Sequence, residues 1–141
     1  MRRAAPGMTL IEVLVALLIS GMAIAGIVTG YIFANTSGAK FALSLSANAE
    51  ASQWMEQMRS AVWNTSSWPA VDQLNATNFS NEVVTLESYG SQVTYATNYA
   101  TISTISTNPP LRRIRVDCVW SFQGSSRLLT NTIETCRAPD Q

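Results

Sequence analysis

The sequence predicts an α+β chain, with one long N-terminal helix packed on a small antiparallel sheet of about four strands. Three observations predict it. Val13 to Ala34 is a run of 22 residues without a charged side chain. Beyond that run, apolar residues recur at helical steps as far as Val62. Further on, Arg113 to Phe122 alternates apolar with polar side chains, and a Gly/Ser turn leads into a second strand-like stretch.

Composition narrows the chemistry. The 141 residues fit one small domain plus an anchor. Hydrophobic residues make up 47% of the chain, but they crowd into its first quarter, and the remainder is rich in Ser, Thr and Asn. There is no His, so the commonest general base and metal ligand is missing. Two cysteines alone cannot build a four-ligand zinc site. No Gly-rich phosphate loop or facing carboxylate pair stands out. Asp72, Asp117 and Asp140 are too scattered to argue a Ca²⁺ site, so neither enzyme nor cofactor is expected. The formal net charge is zero, and Arg112, Arg113 and Arg115 form the one dense basic cluster. It reads as a solvated strand edge, and no nucleic-acid partner is indicated.

The anchor comes first in the chain. A helix over Val13 to Ala34 would extend roughly 33 Å, enough to cross a bilayer. It is too long for an ordinary secretory signal and lacks a small-residue cleavage site at its far end. Arg2 and Arg3 precede the span, and the next basic residue is Lys40. The positive-inside rule therefore places Met1 in the cytoplasm and the C-terminal region outside. Glu12 disturbs this picture. A carboxylate at the edge of an apolar run needs a partner or a place among solvated headgroups, and no Lys or Arg lies within one turn on its C-terminal side.

The stretch Gly7-Met8-Thr9-Leu10-Ile11-Glu12-Val13, continued by Leu14-Val15-Ala16-Leu17-Leu18-Ile19, resembles the prepilin signal of type IV pilins and type II secretion pseudopilins. The parts stand in order: a short basic leader, a Gly, an apolar residue, a Thr, two aliphatics, a Glu, then a long apolar run. The resemblance covers about the first 35 residues and implies a pilin-like fold. It implies that prepilin peptidase cuts after Gly7, and that Met8 becomes an N-methylated N-terminus where many relatives have Phe. It also implies that Glu12 pairs with the N-terminal amino group of a neighbouring subunit, a group that titrates at about pH 8 and can carry the opposite charge. The family's partners would follow: other pilin or pseudopilin subunits, an inner-membrane assembly platform and membrane lipid. The family's mid-membrane Pro is absent, since no Pro occurs between Met8 and Trp68. Gly26 and Gly30 stand in that region instead, at a G-x-x-x-G spacing that lets apolar helices approach closely.

Asn35-Thr36-Ser37-Gly38 reads as a soft spot in the helix. Ala47, Ala51, Trp54, Met58 and Ala61 then recur at steps of four, three, four and three, widened by Met55 and Val62, which is the period of an amphipathic helix. Its polar face carries Glu50, Gln53, Glu56, Gln57 and Arg59. Residues 49–59 are similar to a segment of minor pilins and minor pseudopilins. Helix from Met8 to about Val62 would run roughly 80 Å, a length that serves a helical filament core.

Trp63 to Asn81 reads as a loop. Val83–Tyr89 and Gln92–Thr97 have strand composition and are split by Gly90-Ser91, a hairpin signal. Asn98 to Pro110 is polar and reads as a second loop. Arg113 to Phe122 and Arg127 to Thr135 form a C-terminal hairpin around Gln123-Gly124-Ser125-Ser126. In that register Cys118 lies opposite Asn131, which leaves Cys136 roughly 17 Å along the strand. A disulfide needs Cα atoms within about 7 Å. Two cysteines in an exported domain nonetheless favour one bond, and the resemblance implies a bridge near the C-terminus. A Cys118–Cys136 bond and two free thiols therefore both stand at this point.

The expected organisation is a leader at 1–7, a transmembrane and filament-core helix at 8–34, an amphipathic continuation at 35–62, and a globular region at 63–141 with its hairpin at 113–135. The expected function is that of a minor pilin or pseudopilin, a structural subunit of a type IV pilus or type II secretion filament. It would be held as a single pass in the inner membrane and then taken into the filament. The competing reading is an uncleaved signal-anchored extracytoplasmic binding module, which leaves Gly7 and Glu12 without a role.

Overall fold

A computed structural model describes residues 9–89, 92–122 and 125–140. A continuous helix, α1, covers Leu10–Ser60. The short strands β1 (Trp63–Asn64) and β2 (Val71–Asp72) follow, then β3 (Glu82–Tyr89), β4 (Gln92–Thr107), β5 (Pro110–Ser121) and β6 (Leu128–Arg137). β1 and β2 pair with each other, and β3-β4-β5-β6 form an antiparallel meander in chain order. This is the expected long N-terminal helix packed on antiparallel sheet. The chain divides into two compact units between Ala39 and Lys40, each described separately below.

In the unit from Lys40 onward, Leu43, Ala47, Ala51, Met55 and Met58 are the buried residues of α1. They recur at steps of four, four, four and three, so they share one helical face. Opposite them lie Ile114, Val116, Cys118 and Trp120 of β5 and Ala96 of β4, all nearly inaccessible. Ala47 and Ala51 are wholly buried. Small side chains there bring the helix axis close to the sheet. Val62, expected on this stripe, is exposed, because α1 ends two residues before it.

Polar side chains fix the packing. Trp120 Nε1–H donates to Asn131 Oδ1 at 2.8 Å, while Asn131 Nδ2 donates to Ser44 Oγ at 2.9 Å and Asn48 Oδ1 at 3.0 Å. Ser46 Oγ donates to the Leu86 carbonyl at 2.9 Å, tying α1 to β3. At the end of α1 the Arg137 guanidinium donates to the carbonyls of Met58 and Ala61. It fills the role of a helix C-cap with a side chain from the last strand. Asp140 completes the joint. Its backbone N–H donates to the Trp63 carbonyl at 2.7 Å, and its carboxylate accepts from Trp63 N–H at 2.9 Å and from Arg137 at 2.7 Å.

The C-terminal hairpin takes the expected register, with Cys118 opposite Asn131, Trp120 opposite Leu129 and Val116 opposite Ile133. The Cys118–Cys136 bridge is not formed, and both thiols are free. Cys136 pairs with Arg113, five positions from Cys118 along β5, and it is exposed while Cys118 is buried. The two side chains leave opposite faces of the sheet, so no rotamer brings the sulfurs together.

Three other expectations are corrected. The stretch Asn98–Pro110 is not a loop. β4 continues to Thr107 and pairs with β5 along its length, with a bulge between Thr104 and Ser106. Trp63–Asn81 is not wholly loop either, because β1 and β2 pair within it and Arg112 holds Asp72 of β2 through two hydrogen bonds of 2.8 and 2.7 Å. Nor does the helix fray at Asn35–Gly38, where α1 is unbroken and Thr36 Oγ1 donates to the Ile32 and Phe33 carbonyls. Of the basic cluster, Arg112, Arg113 and Arg115 each hold an acidic partner, Asp72, Glu134 and Asp117 respectively. The turns at Gly90-Ser91 and Gln123-Gly124 lie outside the described residues.

Candidate assembly site on the N-terminal helix

The site begins at the first described residue. Thr9 N–H and Oγ1–H donate to Glu12 Oε2 at 2.9 and 3.0 Å, and Glu12 N–H approaches Thr9 Oγ1 at 3.4 Å. This reciprocal pairing is a capping box. Thr9 is the N-cap, Glu12 is the third helical residue, and two backbone donors that the helix start leaves open are satisfied. The sequence carries the signal as Thr9-x-x-Glu12, the spacing of a capping box. Glu12 thus has hydrogen-bond donors within its own chain, and its carboxylate faces the favourable end of the helix dipole. Its other oxygen lone pairs are unused among the described residues.

From Leu10 onward the helix holds a stretch long and apolar enough to cross a membrane, and none of it is buried within the chain. Leu10, Leu17, Met22, Ile27 and Phe33 are each about two-thirds exposed or more. A water-facing surface of this kind would be unstable, which assigns the stretch to lipid or to other helices. Thr29 Oγ1 donates to the Ala25 carbonyl at 2.8 Å, so even its hydroxyl is satisfied inside the helix.

Gly26 and Gly30 are helical, and a Cβ placed at either meets nothing within 4 Å. Nothing within the chain requires glycine there. Gly7 and Met8, the expected cleavage and methylation positions, lie outside the described residues.

The model of the prokaryotic N-terminal methylation motif matches residues 2–28. The chain therefore carries the N-terminal signal of type IV pilins and pseudopilins, on a long helix packed against antiparallel sheet. No curated protein and no solved structure matches the chain. The residues past 28 thus have no matched relative to speak for them, and their reading rests on the geometry above.

Proposed function

We propose that this chain is a structural subunit of a pilus-type or secretion-type filament, processed by prepilin peptidase after Gly7 and assembled through its N-terminal helix. The observation that carries the reading is the methylation motif at 2–28 running directly into an apolar helical surface that nothing in the chain covers. In this reading Met8 is the methylated N-terminus. The subunit waits as a single pass in the inner membrane with its C-terminal region outside. Neighbouring subunits, an assembly platform and lipid then cover the helix in turn.

The capping box gives Glu12 a defined role before assembly. Thr9 holds the carboxylate in place while the subunit is alone, and the free lone pairs of that carboxylate are available to a neighbour's amino group. Gly26 and Gly30 fit close helix approach, because each costs about 1 kcal/mol relative to Ala in a helix and repays nothing inside the chain. A minor subunit is favoured over a major one by the resemblance of residues 49–59.

Mass spectrometry of protein extracted from membranes tests the reading. The expected species starts at Met8 and carries one added methyl group. An intact Met1, or a cut beyond Ala34, would favour the uncleaved anchor instead and overturn the proposal.

A further inference from the structure

The basic side chains of this chain fall into two groups. Arg59, Arg112, Arg113, Arg115 and Arg137 each hold an acidic partner. Lys40 and Arg127 hold none among the described residues, and both are exposed. These two cations share one end of the unit that begins at Lys40. Lys40 opens that unit's part of α1, and Arg127 stands one residue before β6, beside the last rung of the hairpin, where Ser121 pairs with Leu128. Lys40 Nζ lies 5.0 Å from the centroid of the Phe122 ring, which holds the ammonium over an apolar surface with its outer side free.

An open groove of about 370 Å³ runs along this end, between Lys40, Phe41 and Ser44 of α1 and Trp120 and Leu129 of the hairpin, and no acid lines it. Its polar wall is already satisfied, because Asn131 bonds to both Trp120 and Ser44. Its rim is apolar: Phe41 and Leu128 are each 66% exposed. Unpaired cations beside an acid-free apolar groove fit an anionic amphiphile, and chain length says which one. Lys40 follows Ala34, the end of the charge-free run, by six residues of unbroken helix, a rise of about 9 Å. The headgroup layer on each side of a bilayer core is roughly 5–7 Å thick. An α1 that spans a bilayer therefore carries Lys40 and Phe41 at the headgroup surface. We infer that this end of the unit is a docking surface for anionic phospholipid of the membrane that α1 spans. Lys40 and Arg127 meet headgroup phosphates, and Phe41, Leu128 and the groove meet the upper acyl chains. Docking gives the subunit a second hold on the bilayer besides its span. The inference rests on the single-pass reading of α1.

The test uses the full chain in vesicles of phosphatidylethanolamine and phosphatidylglycerol, brominated on their upper acyl chains. In a C136S background, which removes the exposed thiol, single cysteines carry a fluorophore that bromine quenches. S126C places it at the hairpin end, E56C on the exposed face of α1 further along, and I19C within the span. Quenching at 126 should exceed that at 56 about threefold, and quenching at 19 should be the strongest. K40E combined with R127E should bring 126 down to the level of 56 and leave 19 unchanged, with Tm as in the parent. F41S should lower quenching at 126 as well. In the parent, phosphatidylcholine in place of phosphatidylglycerol, or salt at about 0.5 M, should weaken it. If 19 is not quenched, the membrane reading itself falls and this inference with it. If 19 is quenched while 126 matches 56, or while the double charge reversal leaves 126 unchanged, the docking surface alone is overturned. A label at 126 that is blue-shifted yet unreached by bromine would assign the surface to a second copy of the chain and overturn the lipid.

Discussion

Single side chains decide the behaviour of the two thiols. Burial pushes the Cys118 thiol up to about 11, with the nearby Glu50 carboxylate adding to the effect. Cys136 is exposed on the opposite face of the sheet. Native protein treated with an alkylating agent near neutral pH, without reductant, is therefore expected to gain one adduct at Cys136, with Cys118 reacting only after unfolding. Peptide mapping checks this, and failure of both thiols to react would restore the disulfide. A second residue-scale prediction concerns acid. The hydrogen bonds from Arg112 hold the Asp72 carboxyl below its ordinary value. A depressed carboxylate contributes stability above its unfolded pKa and loses it as pH falls through the folded one. Asp72→Asn should thus cost about 1 kcal/mol at neutral pH, a figure that allows for the pair's partial exposure, and the cost should vanish near pH 2. Thermal melts at the two pH values decide it, and a cost that persists in acid would show that the charge is not what matters.

At the scale of elements, Ala47 and Ala51 set how closely α1 approaches the sheet. Ala51→Leu has no room to enter without pushing the helix away from β5, and overpacking of this kind costs about 1–3 kcal/mol. Denaturant midpoints should fall by that amount, while Ala49→Leu, on the exposed face, should stay near the parent. Sequence pattern made much of this level legible. The charge-free run and the helical stripe followed from pattern, and the register of the C-terminal hairpin, down to Cys118 opposite Asn131, followed from the position of the Gly/Ser turn. The second half of β4 did not. Asn98-Tyr99-Ala100-Thr101-Ile102-Ser103-Thr104 is polar enough to pass for loop, yet Tyr, Thr and Ile are strand-forming residues, and pairing with β5 along its length decides the outcome. The Arg137 and Asp140 contacts were not legible either. They join residues 76 to 79 positions apart, which no local period encodes. Of the candidate site, the span and Glu12 were legible from the apolar run, whereas the Thr9 cap is a short-range signal that hydropathy does not single out.

For the whole molecule the filament reading predicts a separation of steps. Glu12→Ala removes both the cap and the charge from the start of the helix. Membrane insertion should persist, because a carboxylate leaves the apolar edge. Cleavage after Gly7 should persist too, since the family's peptidase reads the leader. Incorporation into filaments should drop at least tenfold, as a neighbour's amino group would be left without its counter-charge in lipid. Gly26→Leu combined with Gly30→Leu should show the same pattern through bulk rather than charge. Following processed subunit and sheared filament side by side measures both. Normal incorporation of either variant would remove the corresponding contact from the mechanism.

The joint made by Arg137 and Asp140 has a consequence for the order in which the chain is made. The carbonyls at the end of α1 and the backbone of Trp63 wait for groups that lie about 80 positions later. A ribosome adding about 5–20 residues per second needs several seconds to cover that interval. During that time the helix and the first strands exist without their closing strand, and Ala47, Ala51 and Met58 face no completed sheet. Closure of this joint therefore waits until residues 137 and 140 have been made. Proteolysis of stalled nascent chains should find it open until residue 140 has left the ribosome, and closed soon after.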